Sequence, residues 1–299
     1  MLRTLAFALA IVLVAARSLA MEYEVTTRPG LVYAVHNRTK LVGDLYLPKS
    51  RAKSPVVVAI HGGGWRGGGR AFYRYWGPFF ARHGCALLTI EYRLGKAGAY
   101  PAAIYDVKAA VQFARANAAE FGLDPDRIGL IGDSAGGYLA AMLALAGDQF
   151  AQVYRDDANG DVRSDVKAVV GIYGIYDMAA QWKQDMKVIP GDSITQDFLG
   201  ATPSGNPKIY RDASPISHVA PKRKDVRFLL IHGDRDNLVD PLTQSGAFNT
   251  ALTQAGFASR LVLIPGAAHF WASDPFEKMP RSYGAIAASQ VLQFLEEAL

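Results

Sequence analysis

Arg127-Ile128-Gly129-Leu130-Ile131-Gly132-Asp133-Ser134-Ala135-Gly136-Gly137 is the stretch that decides the fold. Its first five residues are an apolar run of strand length. Residues Gly132 to Gly136 fit G-x-S-x-G, a sharp turn that carries an exposed serine. Ala135 to Ala146 follow as a run of small and apolar helix formers. Strand, turn and helix are the context that the motif requires. Ser134 then stands at a helix N-terminus, where free N–H groups and the helix dipole favour negative charge. The small neighbours Gly132, Ala135, Gly136 and Gly137 meet a steric need, since a strained turn leaves no room for larger side chains. Gly191-Asp192-Ser193 repeats the opening of the motif, but it lacks the closing glycine and follows no clear strand.

Outward from this turn, apolar runs alternate with helical ones. Val56–Ile60, Cys85–Tyr92, Asp126–Ile131, Val166–Tyr173, Arg227–Ile231 and Arg260–Ile264 read as buried strands. Pro101–Phe121, which opens on a proline, Pro241–Ala255 and Ser282–Leu299 read as helices. Tyr23–Pro48 alternates around a turn near His36-Asn37-Arg38 and reads as an N-terminal hairpin. Apolar strands separated by helices predict a mostly parallel sheet covered on both faces, with ligands at the carboxyl ends of its strands. Asp177–Val219 breaks the pattern, with Pro190, Pro203, Pro207 and Pro215. It is too long for an ordinary loop and reads as a small cap inserted over the site.

The 299 residues, half of them hydrophobic, suit one large α/β domain at 21–299. Met1–Ala20 reads as a secretory signal: Arg3, an apolar Leu5–Ala16, then the small residues around Ser18-Leu19-Ala20. Its removal takes away Arg3 and Arg17, so the formal charge falls from +5 to +3. That balance, with no basic run, argues against nucleic acid. A periplasmic or secreted location is expected, with no stable membrane insertion after cleavage. The single cysteine, Cys85, excludes an internal disulfide and reads as a buried strand residue. Asn37-Arg38-Thr39 fits a glycosylation acceptor but recurs readily by chance. Asp157-Ala158-Asn159-Gly160-Asp161 resembles a calcium loop, yet with Gly160 at the turn position the first and last ligand positions fall on Arg155 and Val166. A polar surface turn is expected there, and no metal.

A nucleophilic serine needs a base. Of His36, His61, His83, His218, His232 and His269, only His269 lies in a loop after the last strand, in Pro265-Gly266-Ala267-Ala268-His269-Phe270-Trp271. The base needs an orienting carboxylate, and His232-Gly233-Asp234-Arg235-Asp236 offers two, with Asp240 close behind. Asp234 sits in the turn itself, where aspartate commonly bonds local backbone; Asp236 lies further out and is preferred. The chain order Ser134, Asp236, His269 is the one found on this type of scaffold. Donors for an oxyanion are expected from the backbone of Gly63 and Gly64, in His61-Gly62-Gly63-Gly64-Trp65, together with Ala135. Trp65, Tyr176, Asp177 and Trp271 are candidates to line a substrate pocket, with packing in the core the equal alternative for the two indoles.

These motifs, with Glu91-Tyr92-Arg93-Leu94 and Tyr100-Pro101-Ala102-Ala103 followed by Asp106, resemble bacterial α/β-hydrolase carboxylesterases. That group includes hormone-sensitive-lipase-like enzymes and the feruloyl-esterase-like branch. Hormone-sensitive-lipase relatives usually carry the acid in Asp-Pro-Leu. The second aspartate of His232-Gly233-Asp234-Arg235-Asp236 is more similar to the feruloyl-esterase and prolyl-oligopeptidase pattern. The resemblance implies a serine carboxylesterase without a cofactor; an aromatic lining would suit an aryl, hydroxycinnamoyl-type ester beside short-chain ones, and a monomer or small homo-oligomer is expected. Its competitors are an arylformamidase or peptidase-like amide hydrolase, and a non-catalytic binding protein on the same fold.

Overall fold

The computed structural model describes residues 22–50, 52–150, 158–221 and 225–299. The stretch Met1–Ala20, read as a signal, and Asp157 of the calcium-like turn lie outside these residues.

Eight strands build one sheet: β1 Val25–His36, β2 Thr39–Pro48, β3 Ser54–Ile60, β4 Ala86–Ile90, β5 Leu123–Asp133, β6 Ala168–Ile172, β7 Arg227–Gly233 and β8 Ser259–Ile264. Their order is β1-β2-β4-β3-β5-β6-β7-β8. Strand β2 runs antiparallel to β1 and β4, and every pairing from β4 to β8 is parallel. The β1–β2 hairpin turns at Asn37 and Arg38, both at positive φ, the geometry a tight two-residue hairpin demands. The helices are α1 Trp76–Arg82, α2 Ala102–Ala116, α3 Ala118–Phe121, α4 Ala135–Ala146, α5 Met178–Val188, α6 Ile194–Leu199, α7 Pro207–Asp212, α8 Ala247–Gln254 and α9 Tyr283–Ala298.

Side-chain alternation sorts the core into two layers. Val56, Val58 and Ile60 of β3 face a layer built with α2, α4 and α8. Val57 and Ala59 of the same strand face the layer of α1 and α9. Burial on both faces is why the parallel strands read as unbroken apolar runs rather than alternating ones.

Strand ends shift by one to three residues, and two predicted helices change form. The long helix predicted over Pro101–Phe121 breaks at Asn117 into α2 and α3, and Pro101 caps α2 from outside rather than opening it. The helix predicted from Pro241 starts as one wide turn over Leu242–Gly246 before α8. The region 177–219 folds as α5, α6, α7 and a short turn at Pro215–His218, over the carboxyl ends of the strands. Cys85 is buried just before β4, and burial pushes its thiol up to about 12. Residues 158–161 form a turn, closed by the Val162 N–H on the Asn159 carbonyl at 2.9 Å.

The family-like motifs away from the serine serve the frame. Asp106 of α2 receives Arg93 through its Nη2 at 2.6 Å and its backbone N–H at 2.9 Å. His36 is not a surface turn residue: it is buried at the end of β1, with Nδ1 2.6 Å from the same carboxylate. A buried charge needs such partners, and here three elements are tied through one side chain.

The strand–turn–helix passage depends on missing side chains. A Cβ on Gly136 would stand 1.9 Å from the Ile60 carbonyl oxygen, and one on Gly132 would stand 2.3 Å from the Gly136 carbonyl carbon. Both obstacles are backbone and cannot swing away. Gly136→Ala is therefore expected to cost about 3 kcal/mol of stability or more, the upper range for overpacking. Gly69→Ala, at a position with open space, is the control and changes stability little. Paired denaturant melts check the difference.

Candidate active site

Ser134 sits on the turn from β5 into α4 at φ 51°, ψ −119°, outside the regions a serine ordinarily adopts. The strain is held by neighbours: its N–H donates to the Ile172 carbonyl at 2.9 Å, and its carbonyl accepts from Tyr138 at 3.2 Å. Although Ser134 occupies the N-cap of α4, its side chain makes no cap bond. Its Oγ is turned instead to His269, whose Nε2 lies 3.1 Å away.

His269 is presented by the loop after β8. Its Nδ1 lies 2.5 Å from Asp236 Oδ2. The ring rests on Tyr173 at 4.4 Å and on Phe270 at 4.6 Å between centroids. A carboxylate only accepts, so Nδ1 carries the proton and Nε2 is free to take one from the serine. Asp236 is buried. Its Oδ1 accepts the Leu238 and Val239 N–H groups at 3.0 and 2.9 Å. Burial pushes its carboxyl up, but the His232 and His269 bonds outweigh burial and hold it well below the usual carboxylate range. Asp234 is elsewhere. It does not bond its own turn, as its position suggested, but accepts the Gly266 N–H at 2.7 Å and so joins the β7 and β8 loops.

Gly63, Gly64 and Trp65 follow β3 in three consecutive positive-φ conformations, at 113°, 60° and 57°. That reversal brings Gly63 and Gly64 to the wall of the cavity that also exposes Ser134 and His269. Two buried groups brace the loop. His61 stacks on Tyr92 at 4.3 Å, and its Nδ1 donates to the Gly62 carbonyl at 2.7 Å. Burial lowers His61 to about 4, so it stays neutral. Asp133, beside the serine, accepts the Gly62 N–H at 3.0 Å, and burial pushes its carboxyl up to about 7.

The cavity encloses about 310 Å³. Its floor is Ser134, His269, Gly63 and Gly64. Its walls are Gln181, Asp185, Val188, Ile189 and Ile194 from the 177–219 segment, Leu238 and Val239 behind Asp236, and Phe270 at the mouth. Arg66 and Asp192 complete the rim. The guanidinium is matched there by Asp192 at 2.5 Å and Asp197 at 2.7 Å, which ties the glycine loop to α6.

None of the four aromatic or acidic candidates for substrate contact lines this cavity. Trp65 is buried between Phe198, stacked at 4.3 Å, and Tyr138. Trp271 packs edge-on against Tyr173 at 5.1 Å. Tyr176 is fully buried and stacked on Phe248 at 4.2 Å. Asp177 caps α5, accepting the Ala179 and Ala180 N–H groups at 2.9 Å each. The large indoles and the phenol gain more from full burial than a partly wet wall offers. The lining falls instead to adjacent residues, Gly64 beside Trp65 and Phe270 beside Trp271. Phe270 sits at φ 70° and is 64% exposed. The apolar side chains of the 177–219 segment were missed, since no periodicity there marks an inward face. The discarded Gly191-Asp192-Ser193 is also structural: Ser193 caps α6 and donates to the buried Asp185 at 2.8 Å.

With this geometry in place, comparison with known proteins is direct. The BD-FAE family model matches residues 43–252. The chain belongs to the BD-FAE family. It has the α/β-hydrolase fold, and its first relatives are esterases by name. It is 35% identical to Esterase LipC of Mycobacterium tuberculosis over 79% of this chain and 60% of that protein. It is 27% identical to the isoprenylcysteine alpha-carbonyl methylesterase ICME of Arabidopsis thaliana, over 81% of this chain and 56% of that one. The chain thus spans between about half and 60% of the length of these curated relatives. Among solved structures, a truncated carbohydrate esterase from gut microbiota superposes with a TM-score of 0.75 at 26% identity, covering 93% of this chain and 97% of that one.

Proposed function

We propose that this member of the BD-FAE family is a serine carboxylesterase acting through an acyl-enzyme on Ser134. One observation carries the reading: His269 bridges Ser134 Oγ at 3.1 Å and Asp236 Oδ2 at 2.5 Å on the floor of an apolar cavity. Ser134 Oγ attacks the ester carbonyl carbon while its proton passes to His269 Nε2. The carbonyl oxygen gains negative charge and is held by the N–H groups of Gly63, Gly64 and Ala135. Collapse breaks the ester C–O bond, and Nε2 returns the proton to the departing alcohol. Water then repeats the sequence on the acyl-serine and frees the acid. Asp236 keeps Nδ1 protonated and stabilises the imidazolium that forms twice per turnover.

The substrate is a neutral ester with a short acyl or an aryl group. The walls are mostly aliphatic, with Phe270 at the mouth and only Gln181 and Asp185 polar among them, and the one cationic side chain at the rim is already matched by two carboxylates. The esterase names of the relatives favour an ester over an amide. Export follows from the Met1–Ala20 pattern, and N-terminal sequencing of the protein recovered outside the cytoplasm checks it.

Hydrolysis of p-nitrophenyl esters from acetate to laurate, beside methyl ferulate and an aryl formamide, tests the substrate assignment. Turnover is expected to peak among the short acyl chains and to fall by about tenfold or more at laurate, which outgrows a cavity at the small end of ligand sites. Turnover of the formamide alone overturns the ester reading.

A further inference from the structure

His232 is the penultimate residue of β7, and the proton path above does not use it. It is 0% exposed. Its Nε2 lies 3.2 Å from Asp236 Oδ2 and 3.0 Å from the Val239 carbonyl. Both neighbours only accept, so Nε2 carries a proton. Its Nδ1 lies 2.7 Å from Ser245 Oγ, in the wide turn before α8. A neutral ring, with the Ser245 hydroxyl donating to Nδ1, satisfies all three contacts. Beyond Ser245 stands the Tyr176 phenol, which burial holds well above its usual range and therefore protonated.

Asp236 Oδ2 is thus shared between two imidazole N–H groups, one from each side. We infer that His232 is a positioning residue: it fixes the Asp236 carboxylate and, by drawing on the charge of Oδ2, sets the basicity of His269. This rests on reading His269 as the base.

Two consequences separate this role from simple packing. With the His232 donor gone, Oδ2 keeps more charge for His269, and the imidazolium is favoured. The carboxylate also loses one of the four donors that hold it in the line that Ser134 and His269 define. The other groups facing the pair are few. Ser134 and Tyr173 face His269. Asp133, behind Tyr173, has its own carboxyl engaged by Gly62. Asp274 acts on Tyr173 through its charge. None of them contacts His232, so its replacement leaves them in place.

The test is an NMR titration of His269, assigned by its loss in His269→Ala, in wild type, His232→Leu, His232→Gln and His232→Asn. Glutamine sets an amide nitrogen near the Nε2 position, and asparagine sets one near Nδ1. In the leucine variant His269 is expected to titrate about one unit higher, a tenfold change in proton affinity. The acid limb of kcat/KM moves up with it, and kcat falls about tenfold with KM within twofold. Glutamine returns the titration to near wild type, and asparagine does not. An unmoved His269 in His232→Leu overturns the inference. So does equal behaviour of the glutamine and asparagine variants, a comparison that stands even where leucine fails to fold. The esterase reading fails separately, if wild type and Ser134→Ala hydrolyse esters equally, and the titration still reads the His232 contact in that case.

Discussion

Ser134→Ala is expected to lower kcat for p-nitrophenyl butyrate by about 10⁶-fold, the scale on which such a serine, base and acid act as one unit. The size follows from geometry. His269 Nε2 is paired with the Ser134 hydroxyl, and Asp236 behind it orients the ring and stabilises its charged form. The variant is also expected to fold, since the Ser134 side chain makes no cap bond and the strained backbone is held by main-chain contacts to Ile172 and Tyr138. A methyl at φ 51° is no worse than the CH₂OH it replaces. With the Gly63, Gly64 and Ala135 N–H groups holding the oxyanion as proposed, residual hydrolysis above the buffer rate is expected. Steady-state rates and labelling by a serine-directed phosphonate measure the two effects together. Full turnover in a folded Ser134→Ala protein places the chemistry on another group.

The sheet and the three polar residues were legible in the sequence for one reason. Each is fixed by a short-range rule that leaves a mark: apolar runs for strands buried on both faces, glycines where a turn closes, and an aspartate and a histidine just past strand ends. Gly132 and Gly136 illustrate it, because the backbone contacts that exclude a side chain at each position are made within the same few residues or to the neighbouring strand. The cavity wall was not legible. Val188, Ile189 and Ile194 are ordinary aliphatic residues in α5, α6 and the link between them, and only the tertiary placement of those helices turns them toward Ser134. The aromatic residues misled for a related reason. Trp65 and Trp271 lie next to the functional loops in sequence, but adjacent loop residues face opposite ways. In each pair the indole went into the core. Arg93 and Asp106 show a third limit: residues of the family-like motifs serve, here, with the buried His36, to weld β1, α2 and the β4 loop.

The choice between two aspartates gives the second large effect. Asp236→Asn is expected to lower kcat by about 10⁴-fold, and Asp234→Asn by no more than about threefold. Four N–H groups converge on Asp236, two from Leu238 and Val239 on Oδ1 and two from His232 and His269 on Oδ2. An amide has one accepting oxygen and one NH₂. If its oxygen keeps the backbone donors, the NH₂ meets His269 Nδ1. The ring must then move its proton to Nε2, the tautomer that cannot accept from Ser134. If the amide turns over, two backbone N–H groups lose their acceptor in a buried place. Asp234 faces no such conflict, since it receives only the Gly266 N–H on an exposed carboxylate, and an asparagine oxygen receives it equally well. The stability of the two proteins should also respond differently to acid. The carboxyl of Asp236 is depressed in the folded state, so its contribution is fully present above the unfolded value of about 4 and is lost as pH falls below it toward the folded one. Asp236→Asn lacks that contribution at every pH. Its deficit against wild type is therefore expected to be large in denaturant melts at pH 7 and to shrink below pH 4. A deficit that holds constant across that range would mean that the carboxylate charge does not bind the His232 and His269 side chains into the fold.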